Sequence, residues 1–143
     1  MIRVLAIDYG QKRIGVALSD PLGFTAQSLK TLLFVSEKKF IEDLKAICLE
    51  HQVTEVVIGL PINMDSSHGP KANEVMRLLP KMKESLTVPV LTWDERLTSK
   101  EAGRLMIQEG LSREKQKSKS DELAAILILQ NYLEYKRFQK KEF

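Results

Sequence analysis

Residues 3 to 19 read Arg3-Val4-Leu5-Ala6-Ile7-Asp8-Tyr9-Gly10-Gln11-Lys12-Arg13-Ile14-Gly15-Val16-Ala17-Leu18-Ser19. Two apolar runs flank a polar turn, and the first of them ends on a carboxylate. Runs of this length separated by a Gly-containing turn predict a pair of β-strands. An ionised Asp at a buried strand end is costly unless its charge meets a metal, a cation or hydrogen-bond donors. Taken alone, Asp8 is read equally well as the residue that opens the hairpin turn through Tyr9-Gly10-Gln11-Lys12. The rest of the chain has to decide between these readings.

Working outward, residues 23 to 34 supply a third strand, so the chain opens as a meander with short turns. From Ser36 the period changes. Phe40, Leu44, Ile47 and Cys48 share one helical face, with Glu42, Asp43 and Lys45 outside it, and this helix ends near His51-Gln52. Val56-Val57-Ile58-Gly59-Leu60 is the continuous apolar run of a strand buried on both faces, closed by Pro61, and predicts a parallel central strand. A polar loop over residues 61 to 70 leads to a second helix marked by Ala72, Val75, Met76 and Leu79, which Pro80 kinks or ends. Val88 to Trp93 gives another strand.

After Asp94-Glu95-Arg96-Leu97, Thr98 and Glu101 match a capping box that starts a third helix running to Gly110. Residues 111 to 120 are expected as a polar, basic, mobile segment. Ser118 or Ser120 then caps a last helix carrying Leu123 to Leu129, apolar nearly all round and so well buried. The order predicts an α/β fold, a mixed five-stranded sheet flanked by helices. Residues 1 to 143 show no internal repeat or domain boundary and are expected to fold as one domain.

Composition narrows the function classes. The chain has 143 residues, 43% hydrophobic and 29% charged, enough for a sizeable core. Arg3 and Asp8 interrupt the first apolar run, and there is no long uncharged stretch, so neither a secretory signal nor a membrane span is expected. The lone Cys48 has no internal disulfide partner and reads as a small core residue, which fits a reducing, cytoplasmic setting. A net charge of +3, from 22 Lys and Arg against 19 Asp and Glu, is too mild to identify a nucleic-acid binder by bulk charge. The distribution is more informative: Arg113, Lys115, Lys117 and Lys119 crowd one segment, and Lys136, Arg137, Lys140 and Lys141 another. The second cluster reads as a frayed, solvated helix tail.

Ligands of such sheets sit at the carboxyl ends of parallel strands. Asp8 ends the first strand, Asp94-Glu95 ends the last, and Asp121 opens a buried helix, so acidic groups far apart in sequence are expected to meet at one edge. Each also has an ordinary role. Asp94 and Glu95 fit an exposed turn before a helix, and Asp121 fits an N-terminal dipole partner worth about 0.3 to 1 kcal/mol.

Four segments, in order, resemble one family. They are Ala6-Ile7-Asp8-Tyr9-Gly10 with Arg13-Ile14-Gly15-Val16-Ala17, Gly59-Leu60-Pro61 with Asn63-Met64-Asp65, Asp94-Glu95-Arg96-Leu97-Thr98-Ser99, and Asp121 with Ala124-Ala125-Ile126-Leu127-Ile128-Leu129-Gln130. Together they resemble the YqgF family of Holliday junction resolvase-like proteins over nearly the whole chain. The resemblance implies an RNase H-like fold related to the RuvC resolvase, and a bacterial nuclease acting in 5′-end maturation of the 16S ribosomal RNA precursor. One departure stands out: the glycine usual after Asn-Met-Asp is Ser66 here, followed by Ser67.

Carried over by motif, the family's acidic positions fall on Asp8, Glu95 and Asp121, as catalytic residues and metal ligands. Hard Mg²⁺ prefers oxygen ligands at about 2.0 to 2.1 Å and keeps several waters, so carboxylates and phosphate oxygens suit it. Two ions, Mg²⁺ or Mn²⁺, at roughly 3.5 to 4 Å would stabilise the attacking water and the leaving 3′ oxygen. Asp8 is expected to bridge them, with Glu95 and Asp121 on either side and Asp94 as a substitute ligand.

Gly10 allows a sharp turn or a close approach to phosphate, and Arg13 either carries a phosphate or anchors the second strand. Arg96 pairs with an acidic neighbour or with substrate. Asn63, Ser66, Ser67 and Lys71 belong to a loop and helix start able to bind phosphate through backbone donors, or to ordinary turn chemistry. Lys117 and Lys119 belong to the basic flap, whose affinity for a nucleic-acid backbone falls with salt. His51 and His68 are too isolated for a zinc site, and Trp93 reads as core.

The expected partner is nucleic acid, with ribosomal RNA precursor ahead of branched DNA. A ribosomal particle is a possible context, no membrane is expected, and the chain is a monomer or homodimer. Three other classes stay open: a non-catalytic nucleic-acid-binding module of the same fold, a purely structural ribosome-assembly factor, and an actin-like ATPase. The chain is short for the paired domains of the last and lacks a second phosphate loop.

Overall fold

The computed structural model describes residues 2–95 and 113–141, with the side chains of the last helix described from Glu122 to Gln139. Strands β1 (Val4–Asp8), β2 (Arg13–Ser19) and β3 (Ala26–Leu33) form the expected antiparallel meander. β4 (Glu55–Leu60) runs parallel to β1, and β5 (Val90–Asp94) parallel to β4, giving one five-stranded sheet in the order β3-β2-β1-β4-β5. The carboxyl ends of β1, β4 and β5 therefore lie along the same edge.

Side-chain alternation sorts these strands between two cores. Leu5 and Ile7 of β1 and Tyr9 just beyond it, with Val56, Ile58 and Leu60 of β4, face helices α1 (Glu37–Glu50) and α2 (Pro70–Ser85). Val4 and Ala6, with Val57 of β4 and Trp93 of β5, face helix α3 (Arg113–Lys141). Small residues on that second face, Ala6, Ala17 and Ala125, let α3 approach the sheet, and Ile128, Leu129, Tyr132 and Leu133 complete the layer. Trp93 is a core residue as expected, its ring edge-on to those of Tyr132 and Tyr135 at 5.9 and 5.7 Å. Cys48 packs partly buried against the other core, and burial pushes its thiol up to about 11, which leaves no thiolate to act at neutral pH.

Helix α1 starts where Ser36 accepts the Lys39 backbone N–H at 3.1 Å, and Phe40, Leu44 and Ile47 form its buried face. Two expectations for α2 are corrected. Its buried stripe is Ala72, Val75, Leu78 and Met82, with Leu79 partly buried against the same core; Ala72, Val75 and Leu79 lie where expected, and Met76 is exposed instead. Pro80 does not end the helix, which continues to Ser85. The proline lies on the solvent side, where the carbonyl freed by its missing N–H can be hydrated.

The basic segment is corrected too. Residues 113 to 120, expected as a mobile loop, are helical, and α3 runs through both serines proposed as its cap. Arg, Glu, Lys and Gln are good helix formers, and no Gly or Pro interrupts positions 113 to 141. The helix expected from Thr98 to Gly110 lies outside the described residues. No helix among the described residues is long and apolar enough to cross a membrane.

The loop after β4 accounts for the Ser66 departure. Ser66 N–H donates to the Asn63 carbonyl and Asn63 N–H to the Ser67 carbonyl, both at 2.9 Å, beneath an Ile62–His68 bridge. This is a short hairpin turn with a bulge, and Ser66 takes the bulge position with φ +71°. That is left-handed backbone, which glycine adopts without a Cβ penalty. Ser66→Gly is therefore expected to stabilise the protein by about 0.5 to 1 kcal/mol in denaturant titrations, with an unchanged slope.

Candidate active site

Period-two alternation along β1 puts Asp8 on the same face as Val4 and Ala6, the face covered by α3. Glu95 follows β5 directly and stands two residues after Trp93, so it leaves the sheet on that same face. Between them runs β4, with Ile7 opposite Ile58 and Gly59 opposite Trp93. The side chains of Asp8 and Glu95 meet across it in a hydrogen bond between carboxyl groups.

Two carboxyl groups in contact cannot both ionise cheaply in a desolvated corner. Burial raises the pKa of Asp8, opposed by the Lys71 ammonium and the hydrogen bond from Glu95. Burial likewise pushes Glu95 up to about 7, and the Asp8 charge adds to the effect. A hydrogen bond between two carboxyl groups needs a proton, and these directions favour Glu95 as its donor and Asp8 as the acceptor.

Lys71, in the first turn of α2, brings its Nζ to 3.9 Å from Asp8 Oδ1. It is the cation that makes the buried charge tolerable, a role that sequence reading gave to phosphate contact. Lys71→Met is expected to lower stability in chelator by about 0.5 to 1 kcal/mol at pH 8, where both carboxyl groups are charged, and by less at pH 5, where Glu95 holds its proton. Thermal melts at the two pH values check this.

The other expected residues divide. Gly10 is explained by the turn itself, since a side-chain carbon there would collide with the Arg13 carbonyl oxygen. Arg13 opens β2, partly buried and opposite Leu33 of β3. Asn63 is exposed and committed to its loop, its Nδ2 donating to Ser67 Oγ at 3.0 Å, while Asp65 accepts from Ser67 N–H and Oγ–H. Arg96 lies outside the described residues. Asp121, Lys117 and Lys119 fall within α3, but their side chains lie outside the described residues. Among the described residues no three His, Cys, Asp or Glu side chains gather at metal-binding distance. Sequence reading gives Gly59 no role of its own in the site. Its signal is there all the same: a lone glycine inside an otherwise bulky, buried strand.

The chain has relatives among known proteins. A family model described as RuvX, Holliday junction resolvase, matches residues 2–135. The chain belongs to this family. Among RuvX relatives, a "Putative pre-16S rRNA nuclease" of Thermoanaerobacter pseudethanolicus is 46% identical over 134 residues, covering 93% of this chain and 96% of that protein. One of the same name from Clostridium acetobutylicum is 46% identical over 132 residues, covering 92% and 98%. In structure the RuvX chain is similar to Thermus thermophilus RuvC in complex with a Holliday junction, with a TM-score of 0.62 at 16% identity and 96% of both chains covered. The fowlpox virus resolvase, also bound to junction DNA, gives a TM-score of 0.55 at 10% identity, covering 94% of this chain and 98% of that one. The fold is therefore that of the RuvC-like, RNase H-like nucleases, as the motifs implied.

Proposed function

We propose that this chain is a divalent-metal-dependent nuclease whose substrate is the 5′-extended precursor of 16S rRNA, and that it works as one domain in the cytoplasm. The observation carrying this reading is the hydrogen-bonded pair Asp8 and Glu95 at the carboxyl ends of β1 and β5. The names of its RuvX relatives supply the substrate.

The donor set fits a hard cation. Two desolvated carboxyl groups sharing a proton would release it to solvent on binding a divalent ion, which would replace a like-charge contact by an attractive one. Position 121 stands four residues before Ala125 and seven before Ile128, the spacing of the stripe of α3 that packs on this face. Asp121, one turn before Ala125 in α3, is thus our third ligand. Bound there, Mg²⁺ or Mn²⁺ would stabilise charge on the scissile phosphate and activate a water. Asp8 and Glu95 give up their proton and hold the site's negative charge. Lys71, half exposed beside them, turns from Asp8 to a phosphate oxygen when substrate arrives. Lys117 and Lys119, with Arg13 and Arg96, contribute backbone contacts.

Purified protein incubated with 5′-extended 16S precursor and Mg²⁺ or Mn²⁺ is expected to release the extension, and not to do so in chelator. A four-way DNA junction serves as the parallel substrate. Cleavage of the junction alone would replace the substrate, and cleavage of neither would overturn the nuclease reading.

A further inference from the structure

The lane between Asp8 and Glu95 is unusual for a central strand. β4 is hydrogen-bonded on both sides and buried along both faces, and its residues are Glu55, Val56, Val57, Ile58 and Leu60 apart from one glycine. Glycine in such a position gives up packing and backbone order, so a close neighbour is the usual reason for it. Here the neighbours are explicit. A Cβ built on Gly59 would lie 2.7 Å from Cδ1 of Ile128 in α3, 3.0 Å from Cδ of Glu95 and 3.1 Å from Cγ of Glu95. The backbone imposes nothing comparable, since Gly59 is not among the glycines with positive φ. What the position requires is space.

The space has a direction. Asp8 follows the β1 residue paired with Ile58, so it stands beside Gly59 on one side, while Trp93 is paired with Gly59 on the other. Glu95 starts beyond Trp93 and must cross β4 to reach Asp8. It crosses over the one residue of the strand that has no side chain, beneath the methyl end of Ile128. Ala, the smallest alternative, would press on the carboxyl carbon of Glu95 and on the methylene that carries it.

We propose that Gly59 is a positioning residue for the acidic site, its missing side chain forming the slot that holds Glu95 across β4 against Asp8. The inference rests on the metal-site reading for its functional meaning and on the structure alone for its geometry. Gly59 touches no reacting group in this account. It acts through where it lets Glu95 lie.

The test separates the slot from the core. Ile128→Val removes Cδ1, and so relieves the helix contact without touching Glu95. In that background Gly59→Ala is expected to weaken Mn²⁺ binding, read by calorimetry, by about tenfold or more, the scale set by losing a group that orients a ligand. With Glu95→Ala also present, the pressed carbons are gone, and Gly59→Ala should then change Mn²⁺ affinity by about twofold or less. An equal loss in both backgrounds would mean a general structural role and overturn the proposal, as would no loss in the first. A metal-free crystal structure of the Gly59→Ala, Ile128→Val protein gives a second readout. Glu95 turned away from Asp8 supports the slot, and Glu95 still seated on Asp8 overturns it. Were the parent protein to bind no Mn²⁺, the metal-site reading would fall and this second readout would still decide the positioning.

Discussion

Asp8→Asn is expected to reduce cleavage of the rRNA precursor by about 10³-fold or more while leaving the protein folded and, in chelator at neutral pH, more stable than the parent. Both halves follow from one geometry. Asp8 is the charged member of a desolvated pair, accepting from Glu95 and countered by Lys71 at 3.9 Å. An amide of the same shape fills the corner and keeps a hydrogen-bond acceptor, but it brings no negative charge to bind a cation. The charge is costly to the fold and needed by the chemistry. Assays under single-turnover conditions, together with melts in chelator, read the two effects separately. A variant that loses activity by unfolding would show a fallen melting temperature instead.

Metal-free stability should fall as pH rises from about 5 to about 7.5. Glu95 is pushed up to about 7 in the folded protein, against about 4.3 for a free Glu. Between those values the folded state holds a proton that the unfolded state has released, so raising pH favours unfolding. The stabilisation is complete below the unfolded value and gone above the folded one. The raised Asp8 works in the same direction. The carboxylates held low among the described residues cannot imitate this window. Asp20, Glu37 and Asp65 are held below the ordinary range by hydrogen bonds and ion pairs, so their stabilising effect is lost on acidification and at lower pH. Melting temperature in chelator should drop by about 5 °C or more across the window, and Mg²⁺ should restore it most at the upper end. Glu95→Gln should flatten the curve; an unchanged slope in that variant would assign the titration elsewhere.

Much of this was legible in the chain. The alternation of residues 3 to 19, the continuous run at Val56 to Leu60 and the change of period at Ser36 identify the sheet and α1, because strand and helix bury different periodicities. The meeting of Asp8 with Glu95 followed from strand ends lying on one edge. Three features were not legible. The exposure of Met76 depends on the angle at which α2 lies on the sheet, which apolar spacing alone does not reveal. The helical state of residues 113 to 120 looked like a loop because its charges mask good helix propensity. The roles of Lys71 and Gly59 depend on contacts between segments far apart in sequence, across a register that no local pattern encodes. Ser66 is the reverse case, where a departure from a family motif became interpretable once its φ was known.

The most direct measurement is anomalous diffraction from crystals of the protein grown with Mn²⁺. The account predicts Mn²⁺ density at the carboxyl ends of β1 and β5, bound by Asp8 and Glu95 with Asp121 of α3 completing the set, and absent from Asp8→Asn crystals. Density elsewhere, or Asp8 and Glu95 still joined through a shared proton with Mn²⁺ in excess, would contradict it.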